Sequence, residues 1–323
     1  MKNKLYMAIC SMAFLMASCQ QETFENETEK LMMSLEANIG HSQHFPIGRY
    51  VGDTPNDAAF GDGDEIGLSV DGGDFVKWTY ADSKWSPDGN PIYWADKTGD
   101  HVFRAFYPYN EGDGLELDNV PMPNLSGQVG NMESVAVRDF LVASKTQSYG
   151  SNGVVSFTEG EGAPFVHISS LVEIVIRGNG DLASATITGI SIQGTNIVTS
   201  TSYSFDNNGA VELDNNSINK LYAQNLGRAM NGSDQTFYFI LNSGTVELDE
   251  MSMVIEYTSG TKKYKAKLEG LGDDGVRLVS GNRYAYTLNV HDGKLVVTGN
   301  DIKDWESGGP MDDIVINGEE QEG

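Results

Sequence analysis

Across most of its length this chain is a succession of short runs in which apolar and polar residues alternate, each run closed by Gly, Asn or Asp. Alternation with a period of two places every second side chain on one face of an extended strand, so the pattern commits the chain to strands buried on one side. Several hairpins follow from their turn residues. Residues 284–297 (YAYTLNVHDGKLVV) carry Asp292-Gly293 between two alternating segments, and Asp-Gly supplies the positive φ angles of a two-residue turn. Residues 254–268 (VIEYTSGTKKYKAKL) fold back at Ser259-Gly260, and residues 201–213 (TSYSFDNNGAVEL) at Asn207-Asn208-Gly209. Residues 165–176 (FVHISSLVEIVI) form a long apolar run suited to a central strand. The best helical segment, residues 219–230 (NKLYAQNLGRAM), reads equally well as a loop. The fold class is therefore all-β, and closely spaced short strands favour sandwiches or barrels.

A second constraint lies at the amino terminus. Lys2 and Lys4 precede an apolar run, residues 5–17 (LYMAICSMAFLMA), which is followed by Ser18 and Cys19. A basic start, a short apolar stretch and a small-residue cleavage site make a secretory signal, whereas a membrane span needs about 20 apolar residues. Met16-Ala17-Ser18-Cys19 fits a bacterial lipobox, in which the Cys19 thiol is lipidated; the alternative is an ordinary secretory signal with a cysteine near its end by chance. Residues 1–18 are thus expected to be a lipoprotein signal peptide. Residues 19–31 read as a polar, acidic tether. Acidic residues at that position resemble the signal that sends some lipoproteins to the outer leaflet of the outer membrane. The expected location is the cell surface, with lipid holding the chain to the outer membrane.

Beyond the tether, the turn-rich stretch 160–164 (GEGAP) divides the chain into segments of about 130 and about 160 residues, each of domain size. The expected organisation is two β-sandwich domains in series, residues 32–160 and 161–323, with a single large sandwich as the alternative. The only cysteines are Cys10, inside the signal, and Cys19, so the core must hold without disulfides. Removing residues 1–18 takes away two lysines and no acid, leaving 19 basic against 46 acidic residues and a net charge of −27. Such a surface repels nucleic acid and anionic lipid.

The residues give no enzyme signature. There is no GxSxG and no HExxH. Of the five histidines, His41 and His44 lack an obvious third metal ligand, His101 and His291 read as surface or edge residues, and His167 lies in the apolar run that starts at Phe165. Gly61-Asp62-Gly63-Asp64-Glu65-Ile66-Gly67 has glycines at the wrong spacing for a nucleotide loop, and its carboxylates would repel phosphate; it reads as a turn entering a strand. No catalytic residue, metal or cofactor is assigned. Aromatics offer one binding candidate. Trp78, Trp85 and Trp94, with neighbouring tyrosines and phenylalanines up to Tyr109, would suit stacking on a glycan or a host ligand if exposed. Their alternation (Trp78/Tyr80, Phe103/Ala105/Tyr107) is also that of the buried face of a strand, which is the preferred reading.

A family resemblance rests on the succession of short motifs. Residues 63–68 (GDEIGL), Pro91-Ile92-Tyr93-Trp94, residues 101–109 (HVFRAFYPY), Asp139-Phe140-Leu141-Val142-Ala143, Phe165-Val166-His167 and residues 281–295 leading to Ile302-Lys303-Asp304-Trp305 occur in an order that resembles the fimbrillin family. The resemblance implies two transthyretin-like β-sandwich domains and a subunit of a type V pilus, as stalk, anchor or tip, with other pilin subunits as partners. It also implies export as a lipoprotein, followed by cleavage after an arginine near the end of the first strand. Here the first arginine is Arg49, so the cut would fall between Arg49 and Tyr50, after a first strand at residues 32–39 (MMSLEANI). Loss of that strand would leave a groove for a strand from another subunit. The expected donor is the carboxyl-terminal segment 311–317 (MDDIVIN), where Ile314 and Ile316 share a face. The alternative is an unprocessed surface lipoprotein that binds a host or bacterial ligand through the aromatic patch.

Overall fold

The computed structural model describes residues 31–39, 59–111, 115–150, 152–198, 201–206, 211–213, 217–243, 247–257, 260–267, 276–291, 294–304, 316–317 and 319–321. In the first half these form β1 (Ser34–Ala37), β2 (Glu65–Val70), β3 (Val76–Ala81), β4 (Lys84–Pro87), β5 (Asp100–Tyr107), β6 (Val120–Pro121), α1 (Met132–Ala136), β7 (Leu141–Ser148), β8 (Val154–Phe157) and β9 (Val166–His167). Six of them make an antiparallel sheet in the order β4-β3-β2-β5-β7-β9. The parallel pair β1–β8 supplies residues from across its inner face. Alternation decides which side chains meet there: Ile66 and Leu68 of β2, Trp78 of β3, Phe103, Ala105 and Tyr107 of β5, and Leu141 and Ala143 of β7 form one buried cluster.

The second half comprises β10 (Ser170–Ile176), β11 (Thr186–Val198), β12 (Thr201–Tyr203), β13 (Val211–Leu213), β14 (Ser217–Ala229), β15 (Gln235–Leu241), β16 (Glu247–Tyr257), β17 (Gly260–Lys267), β18 (Val276–Arg277), β19 (Asn282–His291), β20 (Lys294–Asp304), β21 (Ile316–Asn317) and β22 (Glu319–Gln321). One sheet runs β15-β10-β19-β20-β21 and the other β14-β11-β16-β17-β22, with β18 on β16. Between them lies a core of Val172, Ile174, Ile176, Ile187, Ile190, Phe237, Phe239, Tyr284, Tyr286 and others. The molecule is an all-β sandwich protein. The antiparallel pairs β12–β13, β16–β17 and β19–β20 are the hairpins that the turn residues indicate. Of residues 219–230, all but Met230 are neither helix nor loop but lie in β14, because Leu221 and Ala223 are buried while Lys220, Tyr222 and Gln224 are exposed, a period of two. Asn225 and Gly227, both at positive φ, form a bulge where the register of β14 on β11 shifts.

Sheet membership changes between His167, which still pairs with β7, and Ser170, which starts β10 in the second sandwich. The halves also share structure. In a three-stranded sheet, β13-β12-β6, Val120 and Pro121 pair with Tyr203 and Ser202. On the outer face of the first sheet, Phe106, Phe140 and Val142 pack with Val120, Met122, Ile168, Tyr203 and Phe205. The same sheet is therefore buried on both faces at β5 and β7. Gly67 makes this possible: it lies opposite Phe106 in register, and a Cβ there would sit 2.3 Å from the Phe106 ring. The helix α1, capped by Asn131 Oδ1 accepting from the Ser134 amide at 2.9 Å, packs Met132 and Val135 against Leu171 and Ile240 of the second half.

Phe106→Ala is expected to cost about 3–5 kcal/mol in denaturant unfolding, since it empties the layer shared by both halves. Gly67→Ala is expected to cost about 1–3 kcal/mol through overpacking against Phe106. Urea titration of the full chain checks both.

Candidate functional site

The first strand and its seat form the site. In β1 and its flanks Met33, Leu35 and Ile39 are buried, with 3%, 6% and 3% of their surface exposed, while Ser34 and Glu36 face solvent. These three side chains join Trp85, Trp94, Tyr107, Val155, Phe157 and Phe165 in the core of the first half. Burying a side chain of this size contributes roughly 1.5–3 kcal/mol. β1 lies parallel to β8, with Ser34 opposite Val154 and Ala37 opposite Phe157.

Backbone bonds hold both ends of the strand. The Met33 N–H donates to the Ile92 carbonyl (2.8 Å), and the Trp94 N–H to the Leu31 carbonyl (2.9 Å). At the far end the Asn38 N–H donates to Phe157 (3.0 Å), and the Phe165 N–H to Asn38 (3.1 Å). The Gly153 carbonyl accepts from both the Ser34 amide (3.2 Å) and the Trp94 indole Nε1 (2.9 Å). Gly153 sits at φ +69°, and a Cβ there would come within 2.9 Å of Tyr149 and 3.2 Å of the Met32 carbonyl. Only glycine fits that crossing without displacement.

Trp94 is itself held edge-on by His101, Phe103 and Tyr149, with ring centroids 5.6, 5.1 and 5.6 Å away. His101 Nδ1 lies 2.6 Å from Asp71 Oδ2, and the Val102 amide donates to the other oxygen of that carboxylate (2.8 Å). Burial pushes the Asp71 carboxyl up, but the bonds from His101 and the Val102 amide prevail and its pKa ends below the ordinary value. Gly153 and the Asp71–His101 pair carry no sequence signature, because both act through contacts between segments far apart in the chain.

The structure bears on two readings from sequence. Trp78, Trp85 and Trp94 are 1%, 7% and 4% exposed and belong to the core, so they form no stacking platform for a glycan. The alternation that put them in a row also turns them inward. His101 is buried and paired with an aspartate, not a surface residue. His167 is likewise buried, its Nδ1 2.9 Å from an oxygen of Asp139. Asp64, in the glycine-rich turn before β2, accepts from the Gly61 amide (2.7 Å) and the Tyr107 hydroxyl (3.2 Å). Among the described residues no group of three or more His, Cys, Asp or Glu is arranged to hold a metal ion.

Cys19, Arg49, Tyr50 and Ile314 lie outside the described residues. β1 is joined to the rest of the domain through residues 40–58, which include Arg49. Ile316 lies in β21, opposite Val297 at the edge of the second half's first sheet, and β22 pairs with residues 263–265 of β17 at the edge of the other sheet.

Comparison with curated proteins gives no match. Among solved structures, a candidate cell adhesion protein of Bacteroides uniformis ATCC 8492 superposes with a TM-score of 0.60 at 15% identity, covering 85% of this chain and 99% of that one. A candidate cell adhesion protein of Bacteroides ovatus ATCC 8483 gives 0.62 at 16% identity, covering 87% and 99%. At such identities the likeness is one of fold. The model of the fimbrillin-like family matches residues 53–305, most of the sequence. The chain belongs to the fimbrillin-like family.

Proposed function

We propose that this protein is a structural or adhesive subunit of a cell-surface fimbria, a type V pilus, and that it assembles with other pilin subunits by exchange of strands. The observation that carries this reading is the first strand: it places three side chains in the core, yet joins the domain through a segment that contains Arg49. In the proposed sequence the chain is exported as a lipoprotein on Cys19 and reaches the outer surface of the outer membrane. A trypsin-like protease then cuts between Arg49 and Tyr50. Cleavage releases the lipid anchor together with β1. The groove left behind is bordered by Val155, Phe157, Phe165, Trp85 and Trp94, and the backbone groups of Ile92, Trp94, Gly153, Phe157 and Phe165 that β1 engaged are left open.

Unpaired strand edges beside apolar pockets bind an extended segment whose alternate side chains fill those pockets. Residues 311–317 of another subunit, with Ile314 and Ile316, are the proposed donor. This role is non-enzymatic. Membership of the fimbrillin-like family and the likeness of fold to candidate cell adhesion proteins support it. The burial of Trp78, Trp85 and Trp94 leaves the aromatic-patch alternative without its surface.

Protein recovered from the cell surface is expected to begin at Tyr50 and to run as a ladder of oligomers in detergent without strong heating. Arg49→Ala is expected to retain lipidated Cys19 and abolish the ladder; a ladder built from chains that keep Cys19 would overturn the proposal. Leu35→Asp is expected to destabilise the uncleaved chain by about 2–5 kcal/mol, the range for loss of a buried leucine. The same substitution should leave material that begins at Tyr50 unchanged in thermal stability, because the residue is then gone.

A further inference from the structure

The two edges of the second sandwich that the tail does not touch are protected by other means. Along β15, the Gln128 side chain accepts from the Ile240 amide (2.8 Å) and donates to the Ile240 carbonyl (2.7 Å), while the Gly130 carbonyl accepts from Tyr238 (3.1 Å). A side-chain amide thus occupies the place of a neighbouring strand. Along β14, the bulge at Asn225 and Gly227 breaks the regular row of backbone groups that an added strand requires. On the opposite side β17 and β20 lie close together, and there the cover is the chain's own carboxyl-terminal segment, β21 on β20 and β22 on β17.

The charges on this last edge are unusual for the molecule. β17 (GTKKYKAK) holds four lysines and no acid in eight residues, in a chain with net charge −25. On its inner side β16 places Glu250 opposite Lys267 and diagonal to Lys265, and Glu256 diagonal to Lys263, while Ser252 and Val254 lie directly opposite Lys265 and Lys263. The tail places further acids along this edge. Glu319 lies opposite Lys265, and Glu320 lies opposite Tyr264, diagonal to Lys262. Directly opposed and diagonal positions on paired strands are close enough for their charges to interact.

We propose that the lysine-rich edge of β17 is an acceptor surface for an acidic extended segment, and that in the free subunit this surface is filled in cis by residues 319–321 of the same chain. The contact is an ionic latch. It covers the last open edge of the sandwich and keeps the tail, with Ile316, on its own subunit until the charges are screened or a better seat is offered. Its purpose rests on the donor-strand reading above, but its existence does not. Because the pairs lie at a strand edge, salt weakens them: at about 1 M the screening length falls to about 3 Å.

Hydrogen exchange on the full-length, uncleaved chain, followed by mass spectrometry of the peptide covering residues 260–267, tests the latch. Glu319→Lys combined with Glu320→Lys is expected to speed exchange there about 3- to 10-fold at low salt, the effect of losing two cross-strand pairs. Lys262→Glu combined with Lys265→Glu should do the same, and joining all four substitutions should restore wild-type protection. High salt should speed exchange in the wild type and slow it in either charge-reversed pair, where it screens repulsion between like charges. Exchange indifferent to both salt and substitution would overturn the ionic latch. Protection that rises with protein concentration would place a second copy's tail on β17 and overturn occupation in cis. Since no cleavage is involved, a latch that behaves as expected in a protein that never forms ladders would sink the pilus proposal alone.

Discussion

The structure depends on the closing of the first sheet's inner face. Ile66, Leu68, Trp78, Trp85, Phe103, Tyr107 and Leu141 present an apolar face that needs a second layer, and β1 with β8 helps to supply it. Without Met33, Leu35 and Ile39, part of that face would meet water, and hydrophobic burial is the largest favourable contribution to folding. The strand that fills this place comes from the amino-terminal end of the described chain, before residues 40–58. A domain completed in this way draws part of its core from a strand that precedes it in the chain.

The second constraint is rigidity between the halves. β5 is buried on both faces: Phe103, Ala105 and Tyr107 enter the core of the first half, and Phe106 enters the layer formed with Tyr203 and Phe205 from the second. The hydrogen-bonded pairing of Val120–Pro121 with Ser202 and Tyr203 adds a backbone tie. Where β9 gives way to β10, the Ser280 hydroxyl donates to the carbonyls of His167 and Ile168, and the Gly281 amide to Ser169. Independent domains on a flexible linker would have few contacts across the boundary. Here a shared aromatic layer and a pinned crossing tie the two halves together.

Charge and edges form the third theme. A strongly acidic surface keeps chains apart in solution. Strand edges work in the other direction, since they invite pairing. The second sandwich resolves this conflict edge by edge, with a glutamine side chain on β15, a bulge in β14, and its own tail on β17 and β20.

Much of this was legible in the sequence. Alternation marked the strands, Asp-Gly and Asn-Gly marked the hairpins, and the succession of motifs from Gly63 to Trp305 marked the family, because each is a local property of neighbouring residues. The same local rules failed at residues 219–230, where good helix formers lie in a strand because Leu221 and Ala223 face the core of a sheet already built by other segments. They also left the tryptophans ambiguous, since a row of rings on one face of a strand reads alike whether that face meets solvent or a second layer. What the sequence by itself determined is most of the strands and which residues along each one share a face. Tertiary structure alone decided that β1 covers the tryptophans, that Gly153 and the Asp71–His101 pair seat it, and that residues 319–321 pair with β17, for these contacts join residues tens to more than a hundred positions apart and no local pattern encodes which surfaces meet.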